Sequence, residues 1–198
     1  MKDFVLEPSF LRSIVDLPAE VREEIVSQLE VLSANPSDRD LDLERLEGSK
    51  KLRALRIDAT HRIILRLEKS QPALLFVKTE DDAYSPDRND VTPAREMVIA
   101  PVEALEKLLV HEKYLPLTRY LLRVDSKTRE VELPFLELEK IINAHLPPEA
   151  RQFPNWWANQ KSGKRAQAFA WMAAGWIVAR VDVKSRVVRF KHIEGEGL

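Results

Sequence analysis

Cysteine is absent from this chain, which excludes disulfides, thiol nucleophiles and cysteine-based zinc sites. Histidine is scarce. The four residues, His61, His111, His145 and His192, lie far apart with no metal-ligand spacing, so no metal or other cofactor is expected. No apolar run approaches the roughly 20 residues that cross a bilayer. The start, MKDFVLEPSF, carries acids where a signal peptide would have a basic end followed by an apolar stretch. These absences predict a cytoplasmic protein with no membrane partner.

What remains is a globular composition, with 44% hydrophobic and 32% charged residues and no repeat or low-complexity tract. A chain of 198 residues has room for one large domain or two small ones. The net charge of −1 hides an asymmetry: residues 1–84 hold 13 Lys+Arg against 17 Asp+Glu, and residues 85–112 hold 3 against 6, whereas residues 113–198 hold 15 against 9. Residues 161–191 alone contain eight bases and a single acid, Asp182. Such a lopsided charge predicts that the second half meets a polyanion.

Residues 17–36 read as a helix, with Pro18 and acids in the first turn, Val21, Ile25, Leu29 and Leu32 at helical spacing, and Pro36 beyond the end. A shorter helix is expected around Pro8 to Val15. From Lys51 onward, KLRALRID, HRIILRLEK and PALLFVKTE, with β-branched or aliphatic content, read as three strands of an antiparallel sheet. A helical hairpin followed by a meander makes an α+β domain. Prolines 86, 93 and 101 mark a boundary, with a helix from Pro101 to about Leu109. The expected division is therefore a domain over 1–84, a linker with a helix over 85–112, and a basic domain over 113–198.

In the second half, YLPLTRYLLRV, FLELEKIINAHL and GKRAQAFAWMAAG read as helices, TREVELPF as a short strand, and WIVARVDV with RVVRFKHI as a hairpin. The resulting order predicts a winged-helix-like domain. In such a domain the third helix would offer Lys164, Arg165 and Gln167 to nucleic acid, and Arg180, Lys184, Arg186 and Arg189 would line the wing. The opposing reading is a solvated hairpin. All four tryptophans fall between residues 156 and 176. Adjacent residues of an extended chain face opposite ways, so of Trp156 and Trp157 one ring would be buried and the other would stack on a base. The alternative is that both rings fasten the turn to the core, with Asn155 and Asn159 capping helices.

With Leu46-Glu47-Gly48-Ser49 and the stretch from Lys51 to Tyr84, residues 1 to about 84 resemble the RelE/ParE toxin superfamily. The resemblance implies a helical hairpin on an antiparallel sheet, with Arg56, Arg62, Lys78 and Tyr84 at the places of catalytic side chains in a metal-independent endoribonuclease. Leu52 and Ala54 stand where many RelE members carry lysines. Residues 113–193 resemble an uncharacterised tryptophan-rich prokaryotic domain. The function expected is a nucleic-acid-associated regulatory or defence protein of toxin–antitoxin type, with nucleic acid and an antitoxin or other protein as partners. An active RelE-like ribonuclease and a protein–protein adaptor remain as alternatives, so enzymatic activity is open.

Overall fold

Prolines set the first two helices. Pro8 opens α1 (Pro8–Ile14), where a missing N–H breaks no helical bond, and Pro18 is the N-cap of α2 (Ala19–Ala34), which ends before Pro36. The computed structural model describes residues 3–36, 38, 41–67, 71–79, 98–125, 127–160 and 165–193. In it the hairpin covers one face of a six-stranded sheet. The strands are β1 (Phe4–Leu6), β2 (Leu43–Arg45), β3 (Leu52–Arg56), β4 (His61–Arg66), β5 (Ala73–Thr79) and β6 (Val98–Ala100), in the order β2-β3-β4-β5-β1-β6. The fold is α+β.

The expected meander is present as β3, β4 and β5, but the sheet is mixed: β1 runs parallel to β5, pairing Val5 with Ala73, and antiparallel to β6. Strands β1, β2 and β6 have three residues each, too few to display a period of two. Part of the expected linker also belongs to the first core. Ala100 of β6, and Val102, Leu105, Leu108 and Leu109 of α3 (Val102–Leu109), pack with α1, α2 and the sheet. Pro101 does not interrupt structure there. It stands at the N-cap of α3, whose apolar stripe closes the core.

The second half runs α4 (Leu115–Arg123), β7 (Glu130–Pro134), α5 (Phe135–Ile142), α6 (Pro148–Gln152), a 3-10 turn (Pro154–Trp157), α7 (Ala166–Ala173), β8 (Trp176–Asp182) and β9 (Val187–His192). Its antiparallel sheet has the order β7-β9-β8. Helix α7 joins the two halves. Phe169, Ala170 and Ala173 enter the first core, while Ala168, Trp171 and Met172 enter the second. The Ala170 carbonyl accepts the Thr118 hydroxyl at 3.0 Å, so even the backbone of this helix is engaged.

Arg22 ties α2 to the end of α3, and Arg119 and Arg123 bind the halves further. Arg22 of α2 is 3% exposed; it donates through Nε to the Leu109 carbonyl at 3.0 Å, and its other nitrogens reach the Leu17 carbonyl and the Glu112 carboxylate. Burial, then the charge of Arg119, lowers the Arg22 pKa, yet guanidinium remains charged in proteins. Arg119 donates to the Val15 carbonyl at 2.6 Å and lies 3.4 Å from Asp16, which also takes Arg123 at 3.0 Å.

Two outcomes follow. Phe169→Ala empties a site in the first core and should cost about 3–5 kcal/mol. Because all tryptophans lie in the second half, equilibrium unfolding followed by tryptophan fluorescence should shift together with the far-UV circular dichroism transition; independent halves would leave the fluorescence midpoint in place. The second outcome concerns Glu139. Burial works to raise its pKa, but the bond from the Leu146 N–H, followed by Arg151 and the charge of His145, holds the carboxyl below the usual carboxylate range. A depressed carboxylate stabilises the fold above its unfolded pKa and loses that contribution as pH falls through the folded value. Glu139→Gln should therefore be less stable than wild type at pH 7 and converge with it below about pH 4, as read from urea midpoints against pH.

Candidate nucleic-acid interface

Strand register places Arg56, Arg62 and Lys78 in one cross-strand row on β3, β4 and β5. Like charges directly opposed repel, and the structure sends each to a different destination. Arg56 pairs with Asp42 at 3.0 Å, and both side chains are about half exposed. Arg62 is 2% exposed and donates through Nη1 to the carbonyls of Asp58 at 2.7 Å and His61 at 3.1 Å. The Lys78 ammonium lies 4.6 Å from the centre of the Phe76 ring. Sequence brings the three to one row, but they do not converge on an open anion pocket, and burial withdraws Arg62 from direct phosphate contact. Tyr84 lies outside the described residues.

One arrangement in the turn before β4 escapes the sequence reading. Asp58 opens the β3–β4 turn: its Oδ1 accepts the Thr60 N–H at 2.6 Å and the His61 N–H at 2.7 Å, and its Oδ2 is 2.8 Å from His61 Nδ1. The signal was an aspartate three residues ahead of a histidine in a short turn, a spacing that lets the carboxylate bond the backbone and the ring together.

In the second half the tryptophan pair departs from expectation. Residues 154–157 form a 3-10 turn, not extended chain, so neighbouring side chains do not project to opposite sides. Trp157 is 2% exposed, stacked between Phe135 at 5.2 Å and Trp171 at 6.1 Å, with its Nε1 donating to the Ala150 carbonyl at 2.8 Å. That burial removes it from base stacking. Trp156 is half-buried, edge-on to Trp157 at 4.7 Å and 6.4 Å from Tyr114. Asn159 caps no helix. Its Oδ1 accepts Trp171 Nε1 and the Val178 N–H, and its Nδ2 donates to the Val178 carbonyl, so one side-chain amide pairs with the edge strand β8 as a neighbouring strand would.

The recognition-helix expectation is also corrected. From Ala168 to Ala173 every residue of α7 is buried, and a helix apolar all round cannot lie in a groove of nucleic acid. At its start Arg165 donates to the Asn155 carbonyl at 2.9 Å and Gln167 reaches the Trp156 carbonyl at 3.5 Å. Both thus hold the tryptophan turn. Lys164 lies outside the described residues.

The hairpin keeps its cations at the surface. Arg180, Lys184, Arg186, Arg189 and Lys191 are exposed. Arg189 is spoken for: it binds Glu132 at 2.7 Å and approaches Glu130 at 3.9 Å, and the bond to Glu132 raises its pKa. Among the described residues Lys184, Arg186 and Lys191 form no ion pair. The tip that carries the first two is rigidly built. Asp182 accepts the N–H groups of Lys184 at 2.9 Å and Ser185 at 3.0 Å and the Ser185 hydroxyl at 2.9 Å; these bonds, led by the Ser185 N–H, keep its carboxyl below its ordinary pKa. Arg186 takes the left-handed conformation at φ 57°, and its carbonyl accepts the Phe135 N–H at 2.8 Å.

Among the described residues no helix is long and apolar enough to cross a membrane, and no cluster of His, Asp or Glu has the form of a metal site. No curated protein matches the chain. Two solved structures are similar to part of it: a chain of the RelB-RelE antitoxin-toxin complex from Methanococcus jannaschii, 16% identical over 40% of this chain and 94% of that one with a TM-score of 0.36, and a copper-bound mutant toxin from Helicobacter pylori, 18% identical over 41% of this chain and 98% of that one with a TM-score of 0.33. Both scores are low. Residues 114–193, which span α4 to β9, match the family described as "Domain of unknown function (DUF7662)".

Proposed function

We propose that the chain is a nucleic-acid-associated regulatory or defence protein of toxin–antitoxin kind, in which a toxin-like first unit is fixed to a second unit of winged-helix-like order. Phosphate contact falls to the β8–β9 hairpin and not to α7. The element order α4-β7-α5-α6-α7-β8-β9, with β9 central in its sheet, supports the winged reading. The observation that carries the function is the hairpin tip, where a turn tied by Asp182 presents Lys184 and Arg186 without acidic partners among the described residues. A preordered pair of cations loses little freedom when it meets a phosphate backbone. The adaptor reading loses its support, because Trp157 and the apolar residues Ala54, Ile64 and Phe76 on the sheet face away from the helices are all buried.

A second reading, ribonuclease activity of the first unit, draws on the cross-strand row of Arg56, Arg62 and Lys78. An antitoxin or other protein remains the expected protein partner under both readings.

With three or four hairpin cations on phosphates, log Kd for duplex DNA should change with log salt at a slope of about 3 in magnitude. Replacing Lys184→Ala with Arg186→Asn, where asparagine tolerates the left-handed backbone, should flatten that slope by about 2 and weaken binding at least tenfold in fluorescence anisotropy. A slope near zero in wild type, or a double variant that binds as wild type does, refutes the proposal.

A further inference from the structure

A single exposed apolar side chain is ordinary on a protein surface, but the setting of Phe153 is not. Phe153 joins α6 to the 3-10 turn, with its ring 55% exposed and in no ring contact among the described residues. Gln152 and Asn155 flank it. Both are exposed, and among the described residues neither side-chain amide has a hydrogen-bond partner. The stretch therefore offers a flat apolar ring and, one and two residues away along the chain, two groups that each donate and accept.

The backbone beneath these side chains is held from both ends. The Phe153 N–H donates to the Glu149 carbonyl at 2.9 Å, and the Trp156 N–H donates to the Phe153 carbonyl at 3.0 Å. Trp157 Nε1 fixes α6 through the Ala150 carbonyl at 2.8 Å, and Arg165 Nη1 holds the Asn155 carbonyl at 2.9 Å. A display already ordered loses little further freedom when a ligand arrives. Charge then decides the kind of ligand. Residues 150–165 hold four bases and no acid; Arg151 is taken by Glu139, whereas Arg165 forms no ion pair among the described residues.

We propose that Phe153 is a stacking platform for an unpaired base of single-stranded nucleic acid, with Gln152 and Asn155 at the base edge and Arg165 drawing in the phosphate strand. Unpaired bases stack on aromatic rings and expose edges to side-chain amides, while a base inside a duplex keeps its faces covered. An amide sets a donor beside an acceptor, the pattern that adenine answers bidentately, so adenine is the favoured base. The stacking that the sequence assigns to a tryptophan passes to the phenylalanine ahead of the pair. The inference rests on the nucleic-acid reading of the second unit, and adds to the hairpin a place that meets bases where the hairpin meets backbone.

The test is fluorescence anisotropy of the full chain with a labelled adenine-rich DNA single strand, an abasic strand of the same length and charge, and the duplex of the first sequence. Wild type should hold the single strand about tenfold more tightly than the abasic one. Phe153→Ala should abolish that preference and leave affinity for the abasic strand unchanged, while Phe153→Trp should retain it. Gln152→Ala with Asn155→Ala should cut the preference for oligo-dA over oligo-dT about fivefold; an unchanged preference strikes the two amides from the site. Lys184→Ala with Arg186→Asn should weaken all three probes and leave the ratio of single strand to abasic strand intact. If wild type binds the duplex with salt dependence but holds the two single strands equally, or if Phe153→Ala keeps the preference, the inference falls and the hairpin reading stands. If wild type binds no nucleic acid, both fall and Phe153 belongs to a protein-binding surface.

Discussion

Helix α7 has no face for water. The sequence AQAFAWMA offers one polar side chain in eight residues, and a helix of that composition is stable only when apolar surface surrounds it. Two cores meet that requirement, one built on the six-stranded sheet and one on the tryptophan cluster, and each is incomplete without this helix. Everything else about the arrangement follows from that sharing. α3 must lie against α2 to carry the chain into place, and the buried guanidinium of Arg22 must find its partners at the carbonyl end of α3. Removing one partner of a buried charge is strongly destabilising, so these contacts also fix how α3 lies against α2.

The same helix shows where sequence reading succeeds and where it stops. β3, β4 and β5 are legible from their aliphatic and β-branched runs of five to seven residues, as is the β8–β9 hairpin. The α+β class followed from them. β1, β2 and β6 were not legible, since three residues cannot reveal a period and the parallel pairing of β1 with β5 depends on contact across 68 positions, Val5 to Ala73. α7 reads as a helix, and the charged residues before it suggest a recognition element. Its lack of a polar face was the better indicator. The tryptophan pair failed for another reason: alternation of side chains presumes extended backbone, and Pro154 begins a 3-10 turn.

Charge proved similarly divisible. The second half carries 15 bases against 9 acids, yet several of these bases serve the fold. Arg119 and Arg123 reach back to Val15 and Asp16, Arg151 holds Glu139, and Arg189 lies between Glu130 and Glu132 on the outer face of its sheet. A segment's net charge thus overstates the field available to a ligand, because paired charges cancel within a Debye length of about 10 Å. What remains outward includes Lys184 and Arg186 at the hairpin tip.

The row of like charges on β3, β4 and β5 poses the opposite question, why a sheet keeps three cations abreast. Register is fixed by the apolar residues beneath them: Leu55, Ile63 and Val77 pair across the same three strands and face the helical hairpin. Slipping one strand by a residue would bring the cations into the core, so the row is a consequence of the packing on the other side. Once there, Arg62 can be buried only if its charge is answered, and the carbonyls of Asp58 and His61 answer it. Those carbonyls are available because the Asp58 carboxylate curls the backbone through Thr60 and His61. The same curl sets the imidazole against that carboxylate, so the orientation of His61 and the burial of Arg62 have a single cause, and neither can be altered without the other.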